Sequence, residues 1–133
     1  MEKTYSVTIK EASKELSKRE RIQMKDTSEA LSIDQVSQEQ FDSEFLTIDP
    51  VAYVILTVHN SKASEPEYDQ YLILDRSGNT YYTGSQSFWS SFINIWEEMT
   101  DGEPDGFEPF QIKVVRKKSN NYNGKEFLKA VLI

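Results

Sequence analysis

Residues 68–100 read YDQYLILDRSGNTYYTGSQSFWSSFINIWEEMT, and the order of patterns within them sets the expected fold. YDQYLILD (68–75) is rich in aromatic and β-branched side chains and reads as a strand. Arg76-Ser77-Gly78-Asn79 is a tight turn, with Gly78 suited to a positive φ. Residues 80–83 resume as a short strand, and Gly84 breaks it. Ser85 or Ser87 then offers an N-cap oxygen. Behind it, Phe88, Phe92, Ile95 and Met99 recur at helical spacing, and Trp89, Ile93 and Trp96 form a neighbouring stripe.

Upstream, VAYVILTVH (51–59) is apolar on both of its alternating sides, the mark of a strand covered on both faces. Downstream, an acidic Gly/Pro loop (100–109) leads to FQIKVVRKK (110–118), in which Phe110, Ile112 and Val114 alternate with Gln111, Lys113, Val115 and Lys117. A turn at 119–124, SNNYNG, precedes a last strand at 125–133. From residue 51 onward the order is three strands, one helix and two strands. That is the order of a five-stranded OB-like barrel with its helix between strands 3 and 4. The expected class is mainly β (α+β), with residues 51–133 as the barrel domain.

Residues 1–50 are expected to form an N-terminal extension that packs on the barrel or extends it. They contain no glycine and are weakly patterned. Tyr5, Val7 and Ile9 alternate as in a short strand. Residues 11–21 form a charged, helix-favouring run, residues 22–25 are open to a strand reading, and residues 27–49 read as a loop with a short strand near 45–48.

Composition narrows the function. The chain has 133 residues, 38% hydrophobic and 28% charged, which suits one folded domain. It has no cysteine, so disulfides, thiolate zinc sites and cysteine nucleophiles are excluded, and a reducing cytoplasm suits it. The N-terminus is polar, and no apolar run is long enough for a membrane span. His59 is the single histidine. No nucleotide-binding glycine pattern or catalytic spacing is present, and the carboxylates of residues 97–108 do not follow a calcium-loop spacing. The expectation is a protein without enzymatic activity, metal or cofactor.

The net charge of −7 argues against nucleic acid, but its distribution does not. Between residues 111 and 129 stand six basic residues, Lys113, Arg116, Lys117, Lys118, Lys125 and Lys129, against Glu126 alone. Cations on strands and a hairpin tip track phosphates, and Tyr122 at the tip is placed to stack on a base. The same lysines have a plainer reading, as edge protection against strand-to-strand aggregation. Tyr71, Tyr81 and Tyr82 are either core residues or stacking platforms. Trp89 and Trp96 read as packing residues or as part of a protein–protein contact, and because the helix carries more apolar residues than one small barrel buries, a homodimer is a further expectation.

YLILDRSGNTYYTGS, SFWSSFINIWEEM and PFQIKVVRKKSNNYNGKEFLKAVLI together resemble the small single-stranded DNA-binding proteins of phages and mobile elements of Gram-positive bacteria. The resemblance implies an OB-like barrel that coats single strands during replication or recombination, with little sequence preference. It implies phosphate contacts from Lys113, Arg116, Lys117, Lys118 and Lys125, base contact from Tyr122, and stacking by Tyr71, Tyr81 or Tyr82. Replication or recombination proteins are the implied partners. Housekeeping single-strand binders end in an acidic tail, whereas this sequence ends in KAVLI. A competing reading makes the acidic surface the active feature, as in a phage-encoded inhibitor or DNA mimic that acts on a host nucleic-acid enzyme.

Overall fold

A computed structural model of the protein describes residues 5–26, 30–33, 46–61, 67–101, 109–118 and 126–133. Its elements are β1 (Tyr5–Ala12), α1 (Lys18–Lys25), β2 (Leu31–Ser32), β3 (Leu46–Ile48), β4 (Pro50–Asn60), β5 (Glu67–Asp75), β6 (Thr80–Thr83), α2 (Gln86–Thr100), β7 (Ile112–Lys118) and β8 (Glu126–Leu132). The protein is mainly β. The strands form two sheets, one of five in the order β1-β4-β5-β6-β2 and one of three in the order β3-β7-β8.

The closed five-stranded barrel expected from the element order is therefore not what the strands form. Closure would need a continuous ladder from β6 through the two strands of the β7–β8 hairpin back to β4. Instead β6 pairs with β2, and the β7–β8 hairpin pairs with β3. Strands from the first fifty residues complete both sheets, β1 and β2 in one and β3 in the other.

The chain passes between the sheets at Asp49-Pro50, and the local chemistry explains why there. Pro50 has no N–H to give to a ladder, and the β4–β5 register shifts between Pro50 and Ala52. Several polar groups at this corner are taken up by the β5–β6 turn, although Asp49 Oδ1 stays buried without a hydrogen-bond partner among the described residues. Asp49 N–H donates to Asp75 Oδ2 at 2.7 Å. Arg76 N–H donates to the Asp49 carbonyl at 2.9 Å, and Arg76 Nε donates to Asp49 Oδ2 at 3.3 Å. The turn has the expected glycine geometry, Gly78 adopting φ +99°.

β4 is the spine of the larger sheet, antiparallel to both β1 and β5. Its two apolar sides are both covered. Val54 and Leu56 face α1, clustering with Met24 and Leu72, and Val7, Ile9, Ala12 and Leu16 pack around them. Ile55 faces the opposite way, with Tyr71 and Ile73, into the main core. That core also takes Phe88, Trp89, Phe92 and Trp96 from α2, and Ile48, Ile112, Val114, Leu128 and Ala130 from the smaller sheet.

α1 begins later than its composition suggests. β1 runs on to Ala12, which pairs with Val54. A capping box then fixes the helix start: Ser17 Oγ accepts from Glu20 N–H, and Glu20 Oε1 accepts from Ser17 N–H. Residues 22–25, open to a strand reading in sequence, are its last turn.

α2 is capped by Ser85, whose Oγ accepts from Phe88 N–H at 3.2 Å. Its apolar stripes are taken up within the chain, with Ile93, Ile95 and Met99 packed against the core. The helix also closes the outer edge of β8. Ser87 Oγ donates to the Leu128 carbonyl at 3.1 Å, and Ala130 N–H donates to Ser91 Oγ at 2.8 Å. Ser91 in turn donates to the Phe88 carbonyl. Two hydroxyls thus stand where a neighbouring strand would. Ser91→Ala leaves the part-buried Ala130 N–H without its acceptor, and should lower the unfolding free energy by about 1–2 kcal/mol in urea titrations. A change below about 0.3 kcal/mol would mean that water replaces the hydroxyl and that the edge is not sealed.

The candidate nucleic-acid interface

The basic residues of the hairpin are sorted by the pleat of the smaller sheet. Leu46, Ile48, Ile112, Val114, Leu128 and Ala130 alternate into the core. The intervening positions form the outer face. There Thr47 lies opposite Lys113 and Lys113 opposite Val131, followed by Val115 opposite Lys129 and position 117 opposite position 127. Backbone register therefore brings positions 113, 117 and 129 onto one face. Lys129 is exposed there, Lys113 and Val131 are half-buried, and Val115 is buried. Positions 116 and 118 alternate with these at the far end of β7, opposite positions 128 and 126. The single acidic residue of the hairpin strands is thus in register with position 118, while Asp49 and Asp75 line a surface pocket with Thr47 and Gln111 at the β3 end of the sheet. Tyr122 and Lys125 lie outside the described residues.

The three strand tyrosines do not join these lysines. Tyr71 is buried and lies flat against Trp89, with ring centroids 4.7 Å apart and planes 13° apart, so that ring face is filled by an indole. Burial, with the nearby Asp69 carboxylate, pushes its phenol pKa up. Tyr81 is buried in the main core. Tyr82 alternates to the other side of the sheet and packs on the cluster beneath α1.

In comparisons with known proteins, no family model, no curated protein and no solved structure matched this chain.

Elsewhere several polar side chains pair with one another. Lys10 Nζ lies 2.9 Å from Asp69 Oδ2, and hydrogen bonding and charge attraction from that carboxylate raise the lysine pKa. Thr57 Oγ1 donates to the other Asp69 oxygen at 3.1 Å. These groups line a polar surface cleft with Glu67, Tyr68, Gly84 and Gln86. His59 Nδ1 lies 3.7 Å from Glu67 Oε1, a cross-strand pair at the sheet end. Among the described residues no group of three or more His, Asp or Glu side chains is placed to hold a metal ion, and no helix is long and apolar enough to cross a membrane.

The reading from sequence gave the cations of α1 no role. A count over KRERIQMK (18–25), four cations against one acid, is the signal that finds them. The structure adds that Lys18, Arg19, Arg21 and Lys25 are all exposed.

Proposed function

We propose that the protein binds single-stranded DNA, without catalysis and with little sequence preference, on the outer face of the β3-β7-β8 sheet. The observation that carries this reading is the backbone register that gathers positions 113, 117 and 129 on one face while position 126 falls on the other. A lysine face on a chain of net charge −7 holds a phosphate backbone where it is, because the remaining surface repels it. Affinity then rests on counterion release and falls steeply with salt. Of the four candidate stacking residues, Tyr122, which lies between β7 and β8 in sequence, is the one kept, since Tyr71 and Tyr81 are buried and Tyr82 lies across the sheet. A role in phage or mobile-element replication or recombination follows from the same reading.

Fluorescence anisotropy with a labelled dT strand of about 30 nucleotides, long enough for more than one site, tests it. Wild type should bind the strand in preference to duplex. Lys113→Glu/Lys129→Glu should bind about tenfold or more weakly, and its log–log salt slope should be shallower by about 0.7 for each phosphate that is no longer neutralised. Circular dichroism of the variant should be unchanged. Absence of wild-type binding at low salt would return the hairpin to edge protection and turn attention to the acidic surface as a protein-binding feature.

A further inference from the structure

α1 is an eight-residue helix held down at one point. Met24 is its buried residue, and Ile22, two positions earlier, is 71% exposed. At 100° per residue, Ile22 falls near the centre of the solvent side, with Lys18, Arg21 and Lys25 to one flank and Arg19 to the other. Lys14, just before the helix, and Glu20 neutralise each other at 3.2 Å. Among the described residues Lys18, Arg19, Arg21 and Lys25 have no ion-pair partner. None of the described carboxylates forms an ion pair with these four clustered cations. Like charges on two helical turns repel one another and weaken the helix, so the arrangement fits an anionic ligand.

Its position relative to the hairpin is set by the larger sheet. α1 packs on the side of Val54, Leu56 and Leu72. The smaller sheet packs on the side of Ile55, Tyr71 and Ile73. Strand alternation puts these on opposite faces. The solvent side of α1 and the outer face of the hairpin sheet therefore look away from each other. Layer spacings of about 10 Å put roughly 20 Å of protein between them. That exceeds the screening length of about 8 Å at physiological salt, so two polyanions on these faces repel each other little.

We infer that α1 is a second polyanion-binding surface, and that one chain holds two segments of single-stranded nucleic acid at once, one on each side. The inference rests on the proposed role of the hairpin. Lys18, Arg19, Arg21 and Lys25 contact phosphates, and Ile22 offers an apolar contact to a base or sugar, as inserted aliphatic side chains do in other nucleic-acid complexes. The consequence is bridging: two strands, or two distant parts of one strand, are brought within about the thickness of the protein.

The test is a stoichiometric titration with dT strands of about 8 nucleotides, within the size of one site. Strands carrying donor and acceptor dyes are mixed, and energy transfer is read alongside anisotropy. Wild type should saturate at two strands per chain and give energy transfer. Arg19→Glu/Arg21→Glu should saturate at one strand per chain with the hairpin affinity kept within about twofold. Lys113→Glu/Lys129→Glu should also saturate at one, through α1. Wild-type saturation at one strand, abolished only by the hairpin variant, would overturn the inference and leave the proposed function standing. Two strands retained by the α1 variant would overturn it as well. Unchanged binding in the hairpin variant would overturn the proposed function instead. Displacement of the hairpin variant's strand by polyglutamate at equal or lower concentration than by unlabelled dT would assign α1 to an acidic protein and overturn the bridging role.

Discussion

Phe92→Ala is expected to lower the unfolding free energy by about 3–5 kcal/mol, the range for removing a buried aromatic ring. The phenylalanine is fully buried. Its ring centroid lies 4.9 Å from that of Trp89, 5.9 Å from Trp96, and 6.4 Å from both Phe88 and Tyr53. Those neighbours span α2 and β4, and the same cluster reaches Ile112 and Leu128 of the smaller sheet. The cavity would open where helix and both sheets meet, with little backbone free to collapse into it. Set against a total of about 5–15 kcal/mol for an ordinary domain, such a loss removes much of the stability. Urea titration followed by tryptophan emission reads it directly, because Trp89 and Trp96 report on the cavity walls. Asn94→Ala, exposed on the same helix, should change stability by less than about 0.5 kcal/mol. A Phe92→Ala loss below about 1 kcal/mol would mean that the two sheets do not share one core.

Asp75 should give the second large effect. Its carboxylate accepts from Asp49 N–H, Ser77 N–H and Ser77 Oγ, so it ties the β5–β6 turn to the corner where the chain changes sheets. Asp75→Ala removes the acceptor of all three bonds, and the part-buried Asp49 N–H loses its partner. A cost of about 2–3 kcal/mol at neutral pH follows from hydrogen bonds to a charged acceptor. The pH dependence has a definite sign. Burial alone raises the carboxyl pKa. The Ser77 hydroxyl, the Asp49 and Ser77 N–H groups and the Arg76 charge outweigh it, so the pKa lies below its ordinary value of 3.8. The folded pKa is thus depressed relative to the unfolded one. The stabilisation is fully present above the unfolded value and is lost as pH falls through the folded value. The stability difference between wild type and Asp75→Asn should therefore be constant above about pH 5 and shrink below about pH 4. A difference that grows on acidification would place the ionised carboxylate outside this network.

Much of the local structure was legible in the residues. VAYVILTVH is apolar on both sides because β4 is covered on both faces, by α1 and by the main core. Ser85, one of two serines suited to the role, caps α2. Gly78 marks the turn because its φ of +99° excludes a β-carbon without strain. Positions 113, 117 and 129 share one face because the period of a strand is two. The start of α1 was also written in its sequence, as the reciprocal Ser17–Glu20 pair, but the helix-favouring run before it obscured the signal.

Strand partnership was not legible, and the reason is physical. Pairing is settled by contacts between residues far apart in sequence, and the same apolar alternation suits any neighbour of similar pattern. Residues 80–83 could adjoin the hairpin of residues 112–132 in a barrel. What separates them is that Leu31 and Ser32 take the edge of β6, while Leu46 to Ile48 take the edge of β7. The tyrosines show the same limit. Nothing in YLILD or TYYT distinguishes a ring stacked on Trp89 from one open to a base. From residue 51 onward sequence by itself placed the strands, α2 and the Gly78 turn to within a few residues, and showed which residues of a strand share a side, because these depend on covalent geometry and nearest neighbours. Tertiary structure alone decided the division into two sheets, the burial of Tyr71 and Tyr81, and the setting of α1 and the smaller sheet on opposite sides of the larger sheet. Each of these depends on which distant segment covers which face.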